Sequence, residues 1–127
     1  MTDLSGLLKK NPVFSFLLEN DMDLMARQSM ARRYGKNEKV ILYGDVWPYL
    51  FIVGEGSIDA VKESSEGRSL MVTTFMAGDV FWGLAFFQEN APMPVTLEAR
   101  QPSRLFLWSR ETMEPMLVRN GRVGWEL

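Results

Sequence analysis

The chain contains neither cysteine nor histidine. The first absence removes disulfides, thiolate-held zinc, iron–sulfur clusters and thiol nucleophiles. The second removes most zinc enzymes, His-dependent triads and His-ligated haem, so carboxylates, Lys, Tyr, Ser and Thr are the only groups left for chemistry. An excess of charge of one sign is missing too: 14 Lys and Arg stand against 16 Asp and Glu, a net charge of −2. The bases are scattered, which argues against a nucleic-acid surface on this chain. No apolar run approaches the roughly 18 residues of a membrane span. The start, MTDLSGLLKK, has an acid and no basic n-region, so neither a membrane segment nor a signal peptide is expected, and the expected location is cytoplasmic.

What is present is one domain's worth of ordinary globular composition, 127 residues with 46% apolar and 24% charged. Residues 4–28 carry helical periodicity: Leu4, Leu7 and Leu8 share a face, and beyond Pro12 the residues Phe14, Leu17, Leu18, Leu24 and Met25 recur at helical spacing. ENDMD at 19–23 reads as capping residues that interrupt the pattern, giving two or three short helices. From Ser29 the period shortens. MARRYGKNEKVILYGD reads as strand, turn at Lys36-Asn37 and strand; YLFIVGEGSIDAVKE as two strands about Gly54-Glu55-Gly56; SLMVTTFM, VTLEAR and RLFLW as further strands, with a hairpin signal from Ser64 to Gly67. Ser109 is placed to cap a helix over RETMEPMLV, and GRVGWEL reads as the start of another. The expected organisation is N-terminal helices over 8–28, a β region over 29–109, and a C-terminal helix with the start of a longer one over 110–127.

The ordered turn glycines Gly44, Gly56, Gly67 and Gly78, with acids at Asp45 and Asp79, and the segments KNEKVILYGD, LFIVGEGSIDAV and SEGRSLMVTTFMAGDVF are similar to those of the cyclic-nucleotide-binding-domain superfamily. Within it, the chain resembles the sensor domain of CRP/FNR-type bacterial transcription regulators. The resemblance implies a mainly β fold, an antiparallel double-stranded β-helix or jelly-roll barrel with helices at both ends. It also implies a homodimer through a C-terminal helix beginning near Gly121, and DNA contact only through a domain that lies outside this chain. Whether 1–127 is a fragment or a stand-alone sensor, it is a single domain in this reading.

Family members that bind cyclic nucleotides carry a cassette running approximately Phe-Gly-Glu-x-Ala-Leu, then Arg-x-Ala. Backbone N–H groups and the Arg hold the phosphate, and the Glu takes a ribose hydroxyl. Laid on AGDVFWGLAFF, Phe81 takes the Phe position, Trp82 the first Gly, Gly83 the Glu, Leu84 the variable position, Ala85 the Ala and Phe86 the Leu; Met93 stands where the Arg would be, followed by Val95. Both charged partners are replaced. Burying an anion without its guanidinium costs about 3–5 kcal/mol, roughly a hundred- to several-thousand-fold in affinity. Arg100 and Arg104 are the nearest substitutes, but Met93, Val95, Leu97 and Ala99 alternate onto one face and leave Arg100 on the other. The eight residues Phe81, Trp82, Gly83, Leu84, Ala85, Phe86, Met93 and Val95 are thus a candidate site for a small apolar or aromatic effector, or simply core; no catalytic residue, metal or cofactor is expected.

Alternatives are a cyclic-nucleotide receptor that anchors phosphate through backbone N–H groups alone, and, remotely, a cupin-type barrel enzyme, which normally needs a His-rich metal site. Glu38, Asp45, Glu55 and Asp59 lie in or beside turns and read as structural or solvated, with Asp45 and Asp79 expected to accept turn N–H bonds. Met22, Met25, Met30, Met71, Met76 and Met93 read as core, and Met113, Met116, Leu117 and Trp125 as an apolar stripe for the dimer contact.

Overall fold

The computed structural model describes residues 4–11, 14, 19–64, 66–83, 85 and 88–119. Helices α1 (Leu4–Lys10) and α2 (Glu19–Gln28) precede eight strands: β1 (Met30–Tyr34), β2 (Lys39–Ile41), β3 (Tyr49–Glu55), β4 (Ser57–Glu63), β5 (Ser69–Met76), β6 (Val80–Trp82), β7 (Thr96–Ala99) and β8 (Ser103–Ser109). Helix α3 (Arg110–Arg119) follows β8 without a break. Its N-terminus is capped as the sequence suggests: the Thr112 N–H donates to Ser109 Oγ at 3.3 Å. ENDMD does not interrupt a helix but forms the first half of α2, and Met22 and Met25, one turn apart, bury its inner stripe.

The strands form two four-stranded antiparallel sheets, ordered β1-β8-β3-β6 and β2-β7-β4-β5. The expected closed barrel is therefore not formed: among the described residues no ladder joins an edge of one sheet to an edge of the other. The reason lies in the corners. Asn37 (φ 68°) between β1 and β2, Gly56 (φ 83°) between β3 and β4, and Gly78 (φ 93°) between β5 and β6 each turn the chain sharply from one sheet to the other. Strands consecutive in sequence then face one another across the core instead of pairing side by side. Among the described strands only β4 and β5 form a hairpin within a sheet, closed at Ser64 and Gly67.

Two hydrophobic clusters result. Between the sheets lie Trp47, Phe51, Val53, Ile58, Ala60, Met93, Leu97, Ala99, Leu105 and Leu107. On the outer face of the first sheet, Leu50, Ile52, Phe106 and Trp108 pack with Leu8, Phe14, Met22 and Met25. The Trp108 indole N–H donates to the Met25 carbonyl at 2.8 Å, tying α2 to β8. Met113 belongs to this second cluster and is fully buried within its own chain, so it is not free for the dimer stripe; Gly121 and Trp125 lie outside the described residues. Met30, Met71 and Met76 are exposed rather than core: Met71 and Met76 pair with Val61 and Ser57 on the face of the second sheet opposite to the inward Ile58 and Ala60, and Met30 lies on edge strand β1.

Candidate ligand-binding site

β6 lies at the sheet edge against β3, with Phe51 opposite Phe81 and Leu50 opposite Trp82. Alternation sends successive side chains to opposite faces. Phe81 follows Phe51 into the layer between the sheets, while Trp82 follows Leu50 to the helical side. The candidate residues are thereby divided. Phe81, Met93 and Val95 meet in the inter-sheet cluster, whereas Trp82 packs against the helical cluster.

Around Phe81 the side chains are rings. Phe81 stacks on Phe51 (5.4 Å between centroids, 28°) and meets Phe75 edge-on (5.2 Å, 73°); Trp47 lies 6.4 Å from Phe81 and 5.5 Å from Phe51, with Tyr49 a further 5.8 Å from Trp47. Each such pair adds about 0.5–1.5 kcal/mol beyond its buried area. Sequence reasoning missed Trp47, Phe51 and Phe75. The signal was available in YLFIV, whose alternation places Tyr49, Phe51 and Val53 on one face.

Met93 is fixed by its backbone. Its N–H donates to the Asp45 carbonyl at 2.8 Å, and its carbonyl accepts the Gly44 N–H at 2.9 Å. The turn at Gly44-Asp45 thus holds residue 93 with its side chain buried between the sheets. Among the described residues no lysine or arginine is buried. Arg104 does not enter the layer between the sheets: its guanidinium lies over the Phe106 ring at 4.8 Å, on the opposite face of β8, and Arg100 is exposed.

Gly83 is buried, and its N–H donates to the Tyr49 carbonyl at 2.8 Å. A Cβ at this position would collide with the Trp47 carbonyl oxygen and stand 3.1 Å from that of Tyr49. The glycine is therefore required by the close approach of two backbone segments, and an acidic side chain has no room unless one of them shifts. Ala85 is buried and lines a cleft of about 360 Å³ with Val46, Pro48 and, from α3, Arg110, Glu111 and Glu114. Leu84 and Phe86 lie outside the described residues.

The carboxylates have local partners. Glu38 accepts the Gly35 N–H at 3.0 Å, Asp59 accepts the Thr74 hydroxyl at 2.7 Å, and Asp79 accepts the Met76 N–H at 2.8 Å, as expected for a turn acid. At Asp45 it is the backbone carbonyl that serves, to Met93. Among the described residues no group of three or more acidic side chains is placed to hold a metal ion, and no helix is long and apolar enough to cross a membrane.

Two facing antiparallel sheets with helices at both ends, and an aromatic face beside a buried glycine corner, define a β-roll domain. The chain belongs to the cyclic nucleotide-binding domain family, whose pattern matches residues 31–120. It is 26% identical over 115 residues to the cAMP-dependent protein kinase regulatory subunit of Blastocladiella emersonii, covering 91% of this chain and 28% of that protein. It therefore spans little more than a quarter of the length of that relative. The N-terminal domain of a transcriptional regulator from Streptomyces coelicolor superposes with a TM-score of 0.81 at 20% identity, covering 93% of this chain and 82% of that one. The regulatory subunit of a cAMP-independent protein kinase A from Trypanosoma cruzi, bound to guanosine, superposes with a TM-score of 0.78 at 21% identity, covering 93% and 41%. The likeness extends equally to bacterial regulators and to kinase regulatory subunits, and the proteins it joins are regulatory rather than enzymatic.

Proposed function

We propose that the domain is the sensor of a CRP/FNR-type transcription regulator and that it responds to an uncharged effector seated against Phe81, Met93 and Val95, not to a cyclic nucleotide. The observation that carries this reading is the burial of Met93, at the position of the family's arginine, with no lysine or arginine buried anywhere among the described residues. Gly83, at the position of the family's acid, supports it, because Trp47 leaves no space for a side chain there. A nucleoside, which has no phosphate, is one ligand of suitable chemistry, and the guanosine-bound trypanosomal structure is a fold relative with such an occupant.

The response is a population shift between two arrangements of the segment that follows β6 relative to α3; Ala85 lines a cleft with residues of that helix. An effector moves that balance only by its difference in affinity for the two. Hydrogen exchange tests the coupling: a bound effector protects amides of both 81–87 and 110–119, and an effector that leaves both unchanged overturns the mechanism. The rival reading, phosphate held by backbone N–H groups alone, is separated by calorimetry with cyclic nucleotides and the matching nucleosides.

A further inference from the structure

β5 is exposed in a way the other sheet edges are not. Edge strand β1 carries Arg32 and Arg33, β2 is three residues long and begins with Lys39, and β6 is three residues long. β5 runs for eight residues, SLMVTTFM, without a charge or a proline. Charges, prolines and short length are the usual means of keeping an edge from pairing with another chain. Leu70, Met71 and Val72 are also 61%, 60% and 58% exposed.

The backbone shows which of its groups are open. The Arg100 N–H donates to the Ser57 carbonyl at 3.0 Å, so Ser57 turns its polar groups towards β7. By alternation Asp59, Val61 and Glu63 do the same, and their partners on β5, in register Met76, Thr74, Met71 and Ser69, turn theirs outwards. The Met76 N–H is already taken by Asp79. An irregularity between Ala60 and Val61 leaves Val72 without a partner on β4 and breaks the outward row between Thr74 and Met71. The unbroken open stretch is Ser69–Met71.

We infer that this stretch is a self-association edge that pairs antiparallel with the same strand of a second copy, about a two-fold axis through Leu70. In that register Ser69 of each copy exchanges both backbone hydrogen bonds with Met71 of the other, and the two Leu70 side chains face one another as a non-hydrogen-bonded pair. Arg68 falls opposite Val72 and Glu66 opposite Thr74, so no like charges meet. Any axis placed nearer the C-terminal end of β5 would set the outward Met71 against residues out of phase beyond the irregularity. The second sheets of the two copies join into one continuous sheet, and Leu70, Met71 and Val72 are covered. The contact is small, at the weak end of specific interfaces, and it is independent of the effector reading.

The absence of cysteine makes the register directly testable. A non-hydrogen-bonded pair has Cα atoms about 4.5 Å apart, within the range of about 4.4–6.8 Å that a disulfide spans. Leu70→Cys is expected to form a covalent dimer under mild oxidation, several-fold faster than Met76→Cys, an exposed position on the same strand far from the axis. Equal rates for the two variants, or none for either, overturn the proposal. Sedimentation checks it without oxidation: weak concentration-dependent dimerisation is expected for the unmodified chain and lost in Leu70→Lys, and association unchanged by that substitution would also overturn it.

Discussion

Phe81 and Trp82, neighbours in the chain, stand in different hydrophobic cores: Phe81 stacks on Phe51 between the sheets, and Trp82 packs on the helical side with Leu50 and Trp108. The three-residue strand β6 therefore touches both the candidate ligand face and the layer that includes Met113 of α3. Replacing either ring by alanine should destabilise the domain by about 2–4 kcal/mol, read as a lower denaturation midpoint. Hydrogen exchange separates the two: Phe81→Ala should loosen β5 and β7, and Trp82→Ala should loosen α2 and β8. The same exchange pattern in both variants would show that the two cores are not distinct.

Gly83→Ala should cost about 1–3 kcal/mol, the usual penalty of forcing extra volume into a filled site, because the added methyl meets the Trp47 carbonyl oxygen. Measured by urea denaturation, a neutral effect would show that residues 47 and 83 are not held in close approach.

Trp108→Phe keeps most of the buried ring but removes the indole donor, leaving the Met25 carbonyl without it. A buried acceptor left unpaired costs about 1–3 kcal/mol. The loss should be accompanied by faster amide exchange in α2, whose attachment to β8 runs through this bond.

Ser109→Ala should cost about 0.5–2 kcal/mol through the lost helix cap, since Ser109 Oγ receives the Thr112 N–H. Amides in the first turn of α3 should exchange faster while those of β3 keep their protection. Unchanged exchange at Thr112 would show the cap to be idle.

Much of this architecture was legible in the sequence because it is local. The turns at Asn37, Gly56, Gly67 and Gly78 announce themselves by residue type, and all four adopt positive φ. Asp79 and Ser109 make the bonds expected of a turn acid and a helix cap. Alternation from Met93 to Ala99 correctly gave a buried face with Arg100 outside it. What failed was non-local. Barrel closure depends on whether distant edges pair, and strand periodicity carries no information on that. Met71 and Met76 look like core from their neighbours in sequence, but their register opposite Val61 and Ser57 puts them on the sheet face away from Ile58 and Ala60. Met113 looks free from its helix alone, and is buried in the cluster it shares with Met22, Met25 and Trp108. At the candidate site, the replacement of the charged residues could be read directly, whereas the reason Gly83 must be glycine lies in a carbonyl 36 positions earlier, at Trp47.

The account turns on the absence of a cation where Met93 is buried. The most direct measurement is calorimetric titration of the domain and of Met93→Arg with cyclic AMP and cyclic GMP. The natural chain should show no binding tighter than about 100 µM, the range left when a micromolar site loses about 3–5 kcal/mol. Met93→Arg should be less stable alone and regain stability when a cyclic nucleotide is added. Low-micromolar binding by the natural chain, with Met93 in place, would contradict the account.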